Sequence, residues 1–474
     1  MKLTQTVLSK REVEMIHGAT MEVLNEVGIK VLHQGALKIF GESGAHVDSR
    51  QKIVKFPEYV IRDAVKRAPS SFTLFGRDPK YKLRFESGRV YYAAQGTSLF
   101  LLDSRTGKRR KATLRDVQDS FRLIDALGNI HHASAVFWPT DVSDKAGHAY
   151  QLFTALKNTI KTVDGFNHGR LPAMDTIKMA SILAGGDEEL KKKPRLLGFV
   201  NSTSPLQHSL EQTDGLLVYA EYEQPLLIAA AALSGATAPA TLAGLLVQLN
   251  AEVLTIIALA QLVKPGLPVL YGSGSGVADA RTGNMTYAVE TGLISAATAQ
   301  LARFYGVPSR GTGNITSSIL PDQQAGLEKI ISLWIAASAG TNLIYHAAGC
   351  LESTAMASLE QIVIDDEICG IVDRLLRGIE VNDDTLATNV ISNVGYDGHY
   401  LGNRHTLRYA IQEHFIPTIL NRDTWTAWEK KGSKDTVAMA HEKAERILRE
   451  HHPEPLEPTV EKELRELVSQ VEKR

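Results

Sequence analysis

The chain has 474 residues, with 52 basic against 53 acidic side chains and a formal charge of −1. That balance argues against nucleic acid or an anionic membrane as partner, since either needs a basic surplus or patch. At 44% hydrophobic and 22% charged residues, and with two cysteines that exclude a disulfide framework, the composition is that of a globular protein with one large domain and additions.

The N-terminal stretch "MKLTQTVLSKREVEMI" has no apolar signal core, and apolar runs such as "EVLTIIALAQLV" fall short of a membrane span, so a cytoplasmic location is expected. Residues from about 10 to 70 read as helical. Val13, Ile16, Met21, Val23, Leu24 and Val27 share a face, and Ser9 with Glu12 forms a capping pattern. From about 72 to 112 the period falls to two, and "SFTLFG", "YKLRFES", "RVYYAAQ" and "SLFLLDSRTGKRRKAT" read as short antiparallel strands with turns at Ser87-Gly88 and Thr106-Gly107. Residues 1–112 are therefore expected to form a helical and antiparallel β module packed on the main domain.

After residue 113 strands and helices alternate. Strand candidates begin at His132, Lys161, Arg195, Pro225, Pro268, Pro308 and Thr341, with helical patterns between them. Such alternation argues for a parallel sheet covered by helices, and seven units in one run favour a closed (β/α)8 TIM barrel over an open sheet. The barrel is expected over 113–420, with "NVISNVG" around Asn393 as one option for the eighth strand. "HTLRYAIQEHF" and "DTWTAWEKKG" read as helices packing back onto the barrel. Residues 421–474 form a charged helical tail broken at Pro453, most simply a solvated face. Such helical additions are compatible with a homo-oligomer.

In this fold chemistry sits at the C-terminal ends of the strands. There the sequence puts hydroxyls, amides and glycines, with little general-base power. The stretch "PVLYGSGSGVADARTGN" raises the question of a phosphate loop, but Gly272, Gly274 and Gly276 are spaced two apart, no lysine stands near, and Asp279 would repel an anion. A strand mouth that must stay sterically empty is the better reading, a tight turn the alternative. His346, Cys350 and Cys369 do not make a convincing zinc set, so no metal is expected.

At these residues the chain resembles the trimethylamine methyltransferase superfamily of corrinoid-dependent enzymes that demethylate methylated amines. The resemblance is carried by "EVLNEVGIKVLHQGALKIFGESGAHVD", "YGSGSGVADARTGNMTYAVETGL", "DQQAGLEKIISLWIAASAGTNLIYHAAGCLESTAMASLEQIVIDDEI" and "HTLRYAIQEHFIPTILNRDTWTAWEKKGSKD". It implies a TIM barrel that hands a methyl group to the cobalt of a separate corrinoid protein, with cob(I)alamin as acceptor and no tightly bound cofactor. Trimethylamine enzymes of the family carry pyrrolysine, whereas this chain has only the twenty standard residues. It thus resembles the non-pyrrolysine branch acting on quaternary amines, with glycine betaine the first expectation. Proline betaine, carnitine, γ-butyrobetaine, choline and a non-enzymatic betaine-binding barrel are the alternatives.

A betaine asks for two subsites. Aromatic faces suit the trimethylammonium head, and Phe137, Phe166, Tyr271, Tyr345 and Tyr92 are the candidates, with core packing the alternative for each. For the carboxylate, His346 leads, followed by Arg310, Asn201 and Asn314. Gly272, Gly274 and Gly276 would clear the face on which the corrinoid docks, with Asp279 and Glu352 orienting the loop or balancing the ammonium.

Overall fold

The computed structural model describes residues 4–474. Eight parallel strands form the central sheet: β1 (Tyr91–Tyr92), β2 (His132–Ala133), β3 (Thr162–Gly165), β4 (Leu196–Asn201), β5 (Leu226–Ala230), β6 (Val269–Ser273), β7 (Ser309–Thr312) and β8 (Leu343–Tyr345). They pair in sequence order, and β8 returns to β1 through Leu343↔Tyr91 and Ile344↔Tyr92. A bridge between Ala93 and His132 joins β1 to β2, so the sheet closes on itself. All seven strands expected after residue 130 are present. The eighth is Tyr91–Tyr92, from the stretch read as antiparallel, and not the segment around Asn393, which lies in the helix Thr388–Val394.

Strand alternation sorts the side chains into two layers. Leu197, Leu227, Leu270 and Leu343 fill the barrel interior and pack on Phe72, Leu74, Leu83 and Phe85 of an antiparallel hairpin. That hairpin plugs the end where the strands begin: the Phe75 N–H donates to the Pro194 carbonyl, and the Arg195 guanidinium donates to the carbonyls of Gly76 and Arg77. Val200, Ile228, Val269 and Ile344 point outward against the helices. Helix Leu242–Val263 is long and apolar enough to cross a membrane by length and composition, yet it is mostly buried and packs on Lys10–Glu26 and Glu58–Val65. The Ser9 capping box opens the helix Lys10–Glu26 as expected.

The C-terminal segment departs from expectation in two ways. Helices Arg404–Glu413 and Trp425–Lys430 bury no residue and do not pack into the barrel core. The charged tail does pack: Thr436–Glu450 buries Ala440 and Ala444, and Pro458–Glu472 buries Leu464, Leu467, Val468 and Val471. Both helices are amphipathic, so their charge marks only the outer face.

The loops after β7 and β8 are tied by a fully buried ion pair. Lys329 Nζ lies 3.0 Å from Asp365 Oδ2 and donates to the Asn314 carbonyl at 2.8 Å. The same carboxylate oxygen accepts from the Gly349 N–H at 2.7 Å, and Asn314 Nδ2 donates to the Ala347 carbonyl at 2.6 Å. Removing one partner strands the other charge away from water, at a cost of about 3–5 kcal/mol. Lys329→Met should therefore lower the thermal midpoint sharply in a melting experiment, and adding Asp365→Asn should recover part of the loss. A Lys329→Met protein as stable as the parent would contradict this.

Candidate functional site

The C-terminal ends of the strands enclose a cavity of about 410 Å³. Its wall includes Asp164, Phe166 and Asn167 at the end of β3 and beyond, Phe199 and Asn201 on β4, Gly274 after β6, Arg310 on β7, and Tyr345 and His346 at the end of β8. The adjoining helices and loops add His148, Gln151, Gln212, Tyr287 and Thr354.

Arg310 is fully buried and makes no ion pair among the described residues. Its Nη1 donates to the Ser273 carbonyl, while Nε and Nη2 have no hydrogen-bond partner among the described residues. The guanidinium carbon stands 5.0 Å from the Tyr345 ring centroid and 5.4 Å from that of Phe199. Burial pulls its pKa down to about 10, so it remains a cation at neutral pH. Orphan polar atoms nearby are Asn201 Oδ1 and Asn167 Nδ2.

Asp164 supplies the opposite charge. Its Oδ2 accepts from the Tyr345 hydroxyl, and its Oδ1 lies 2.9 Å from His132 Nε2, whose Nδ1 faces Thr162 Oγ1 at 2.8 Å. Burial, reinforced by the Asp164 charge, pushes the Tyr345 phenol well above its ordinary pKa, so it stays a donor to that carboxylate. The cavity thus holds a fixed cation and a fixed anion that share the Tyr345 ring between them.

His346 lines the cavity in a left-handed conformation, φ 66°, with Nδ1 3.4 Å from Thr312 Oγ1. Burial, and behind it the charges of Arg310 and Lys329, hold its pKa well below the ordinary value. A neutral imidazole offers an anion less than a guanidinium does. Asn314 does not reach the cavity wall; its Nδ2 donates to the Ala347 carbonyl, and its buried Oδ1 has no hydrogen-bond partner among the described residues.

Of the five aromatic candidates, Phe166 and Tyr345 line the cavity. Tyr271 and Tyr92 point outward from their strands, where their hydroxyls donate to Asn250 Oδ1 and Asp373 Oδ1. Phe137 packs in the outer core and lends the region only its carbonyl, which accepts from Gln151. Phe199 and Asp164 line the cavity too, outside the ranked candidates. Both stand on the inward parity of their strands.

The glycines have a local explanation. A Cβ on Gly272 would sit 2.9 Å from the Ile228 carbonyl oxygen and 3.0 Å from Arg310 Cδ, and one on Gly274 would sit 3.2 Å from Arg310 Nη1. A Cβ on Gly276 would meet the Thr286 carbonyl oxygen and the Tyr287 ring at 2.7 Å. None of the three has a positive φ, so it is space and not dihedral freedom that excludes a side chain. Of the three, Gly274 lines the cavity. Asp279 folds its own exposed turn by accepting from the N–H groups of Arg281 and Thr282, and Glu352 pairs with Arg109 at 3.3 Å.

The sulfurs of Cys350 and Cys369 are buried, and burial raises both thiol pKa values. Among the described residues no three His, Cys, Asp or Glu side chains converge at metal-ligand spacing.

Comparison with known proteins gives the chain its relatives. The family model described as Trimethylamine methyltransferase (MTTB) matches residues 2–474. A glycine betaine methyltransferase of Desulfitobacterium hafniense strain Y51 is 34% identical over 466 residues, covering 98% of this chain and 96% of the relative. The trimethylamine methyltransferase MttB of Methanosarcina thermophila is 37% identical over 466 residues, covering 97% and 96%. Among solved structures, the Methanosarcina barkeri monomethylamine methyltransferase MtmB aligns at 12% identity with a TM-score of 0.48, covering 94% of this chain and 95% of that one. A match along essentially the whole chain, on a closed eight-stranded barrel, makes this protein a member of the trimethylamine methyltransferase (MTTB) family of methyltransferases.

Proposed function

We propose that the chain moves a methyl group from glycine betaine to cob(I)alamin carried by a separate corrinoid protein in the cytoplasm, releasing dimethylglycine. The observation that carries the reading is the Arg310 guanidinium, buried with Nε and Nη2 unpartnered at the cavity wall. Trimethylamine carries no anion to meet it, and neither does choline. The carboxylate of a betaine does, through charge-assisted hydrogen bonds. The glycine betaine methyltransferase among the relatives and the absence of any non-standard residue from the chain support the same choice.

In this reading the carboxylate lies on Arg310 with Asn167 Nδ2 as a further donor. The ammonium faces Asp164 and the ring of Phe166, because one face of Tyr345 already carries the guanidinium. A quaternary ammonium leaves as a neutral tertiary amine once a methyl is taken, so no residue has to deliver a proton. Neutral His346 and the phenolic Tyr345 therefore serve as fixed dipoles, and catalysis rests on alignment and preorganised charge. Cobalt(I) supplies the nucleophile that accepts the methyl group. We assign its approach to the cavity mouth at Gly274.

Incubation of the purified chain with glycine betaine and cob(I)alamin should yield methylcobalamin and dimethylglycine in equal amounts. Turnover of trimethylamine with none of glycine betaine would contradict the proposal. Arg310→Met should weaken glycine betaine binding by about 100-fold, the cost of losing a buried charge partner, while choline binding changes little; calorimetric titration of both ligands checks this. Gly274→Val should displace the guanidinium, so its loss should appear first in glycine betaine affinity. A variant that binds normally but fails only in transfer would point instead to a blocked corrinoid.

A further inference from the structure

The charged helix Pro458–Glu472 is far from the cavity in sequence, yet two buried side chains connect its end to the cavity wall. The helix packs on its neighbours Gly147–Asn158 and Arg170–Ala184, with Leu464, Leu467, Val468 and Val471 buried. Polar contacts fix its register. The Tyr150 hydroxyl donates to Glu472 Oε2 at 2.8 Å, and Lys157 Nζ donates to Glu461 Oε1 at 2.6 Å. Arg474, just past the helix, is thereby set beside Asp175, and its Nη1 donates to Asp175 Oδ2 at 2.9 Å.

Asp175 is 2% exposed, and the same oxygen lies 3.2 Å from His148 Nε2. His148 is itself buried and lines the cavity, where its ring packs on Phe166 with centroids 5.6 Å apart. Among the described residues Asp175 has no ion-pair partner besides His148 and Arg474. Burial alone would raise the Asp175 carboxyl, but hydrogen bonds from His148 and Arg474 outweigh it and hold the group below the usual carboxylate range. A buried carboxylate in that state needs a positive charge beside it. A guanidinium always carries one, whereas an imidazole need not.

We propose that Arg474 is a positioning residue for the ammonium end of the substrate, balancing the charge of Asp175 so that His148 does not have to. The inference rests on the reading that the ammonium faces Asp164 and Phe166, because His148 and Phe166 share that wall. Without the guanidinium, the group left beside the carboxylate is His148. An imidazolium there would stand against the incoming ammonium as a like charge at close range. The helix Pro458–Glu472 thus acts on the site through Asp175 and touches no substrate.

Calorimetric titration of the full-length chain with choline, which carries the ammonium without a carboxylate, isolates this end of the cavity. Arg474→Gln keeps a hydrogen-bond donor and removes the charge, while Arg474→Lys keeps the charge. Arg474→Gln should weaken choline and glycine betaine alike, by about ten-fold, the scale of substitutions that act through intervening side chains. Arg474→Lys should bind both as the parent does, and the thermal midpoints of the two variants should agree. Adding Asp175→Asn to Arg474→Gln should restore choline affinity, since no carboxylate is then left to balance; a loss caused by loosened packing would persist. Unchanged choline affinity in Arg474→Gln, an equal loss in Arg474→Lys, no recovery in the double variant, or a parent that binds no choline would each overturn the assignment. Should choline follow the expected pattern while glycine betaine does not bind, the assignment stands and the choice of glycine betaine falls.

Discussion

The Arg310 guanidinium is held out of water at the inner wall of the barrel, and a buried cation whose N–H groups lack acceptors is costly until an anion meets it. The fold makes that placement achievable. The Ser273 carbonyl takes one nitrogen, the rings of Tyr345 and Phe199 take the flat faces, and Gly272 and Gly274 leave the room the side chain occupies. Two nitrogens are left over. Such surroundings suit a small, acceptor-rich anion.

The opposite pole belongs to Asp164, fixed by Tyr345 and His132. The proposed substrate, a zwitterion, spans both poles, and its ammonium end brings its own positive charge permanently. On that proposal no proton donor is needed at the reacting centre. It also gives a physical reason why two titratable groups at the cavity are held in one state: His346 is pushed toward neutrality by burial and by two nearby cations, and Tyr345 is pushed toward its phenol form. On the proposed reading the cavity holds charge still, and proton traffic has little part in it.

Much of this architecture was legible in the sequence because strand and helix periods alternate so regularly. Seven barrel strands, the Ser9 capping box and the hairpin at Thr106-Gly107 emerge from local pattern alone. The eighth strand did not, since Tyr91–Tyr92 is two residues long and sits among antiparallel hairpins; only closure of the barrel reveals its partners. Site residues divide by strand parity. Tyr271 and Tyr92 look like cavity aromatics among the strand ends, yet register turns them outward, while Phe199 and Asp164 turn inward. Alternation along β4, with Leu197 in the barrel interior, puts Phe199 on the inward face. The role of Gly272 and Gly274 was invisible without Arg310, a neighbour brought there by the pairing of β6 with β7. The segment after Arg377 misled in the other direction: "HTLRYAIQEHF" read as a helix packing back onto the barrel, yet Arg404–Glu413 buries no residue.

The most direct test is a crystal structure of the protein soaked with glycine betaine, solved without the corrinoid partner. The account predicts the ligand carboxylate within hydrogen-bond distance of Arg310 Nε and Nη2, with the trimethylammonium group turned toward Asp164 and Phe166. A ligand bound in the reverse sense, or seated with Arg310 still lacking an anion, would contradict it.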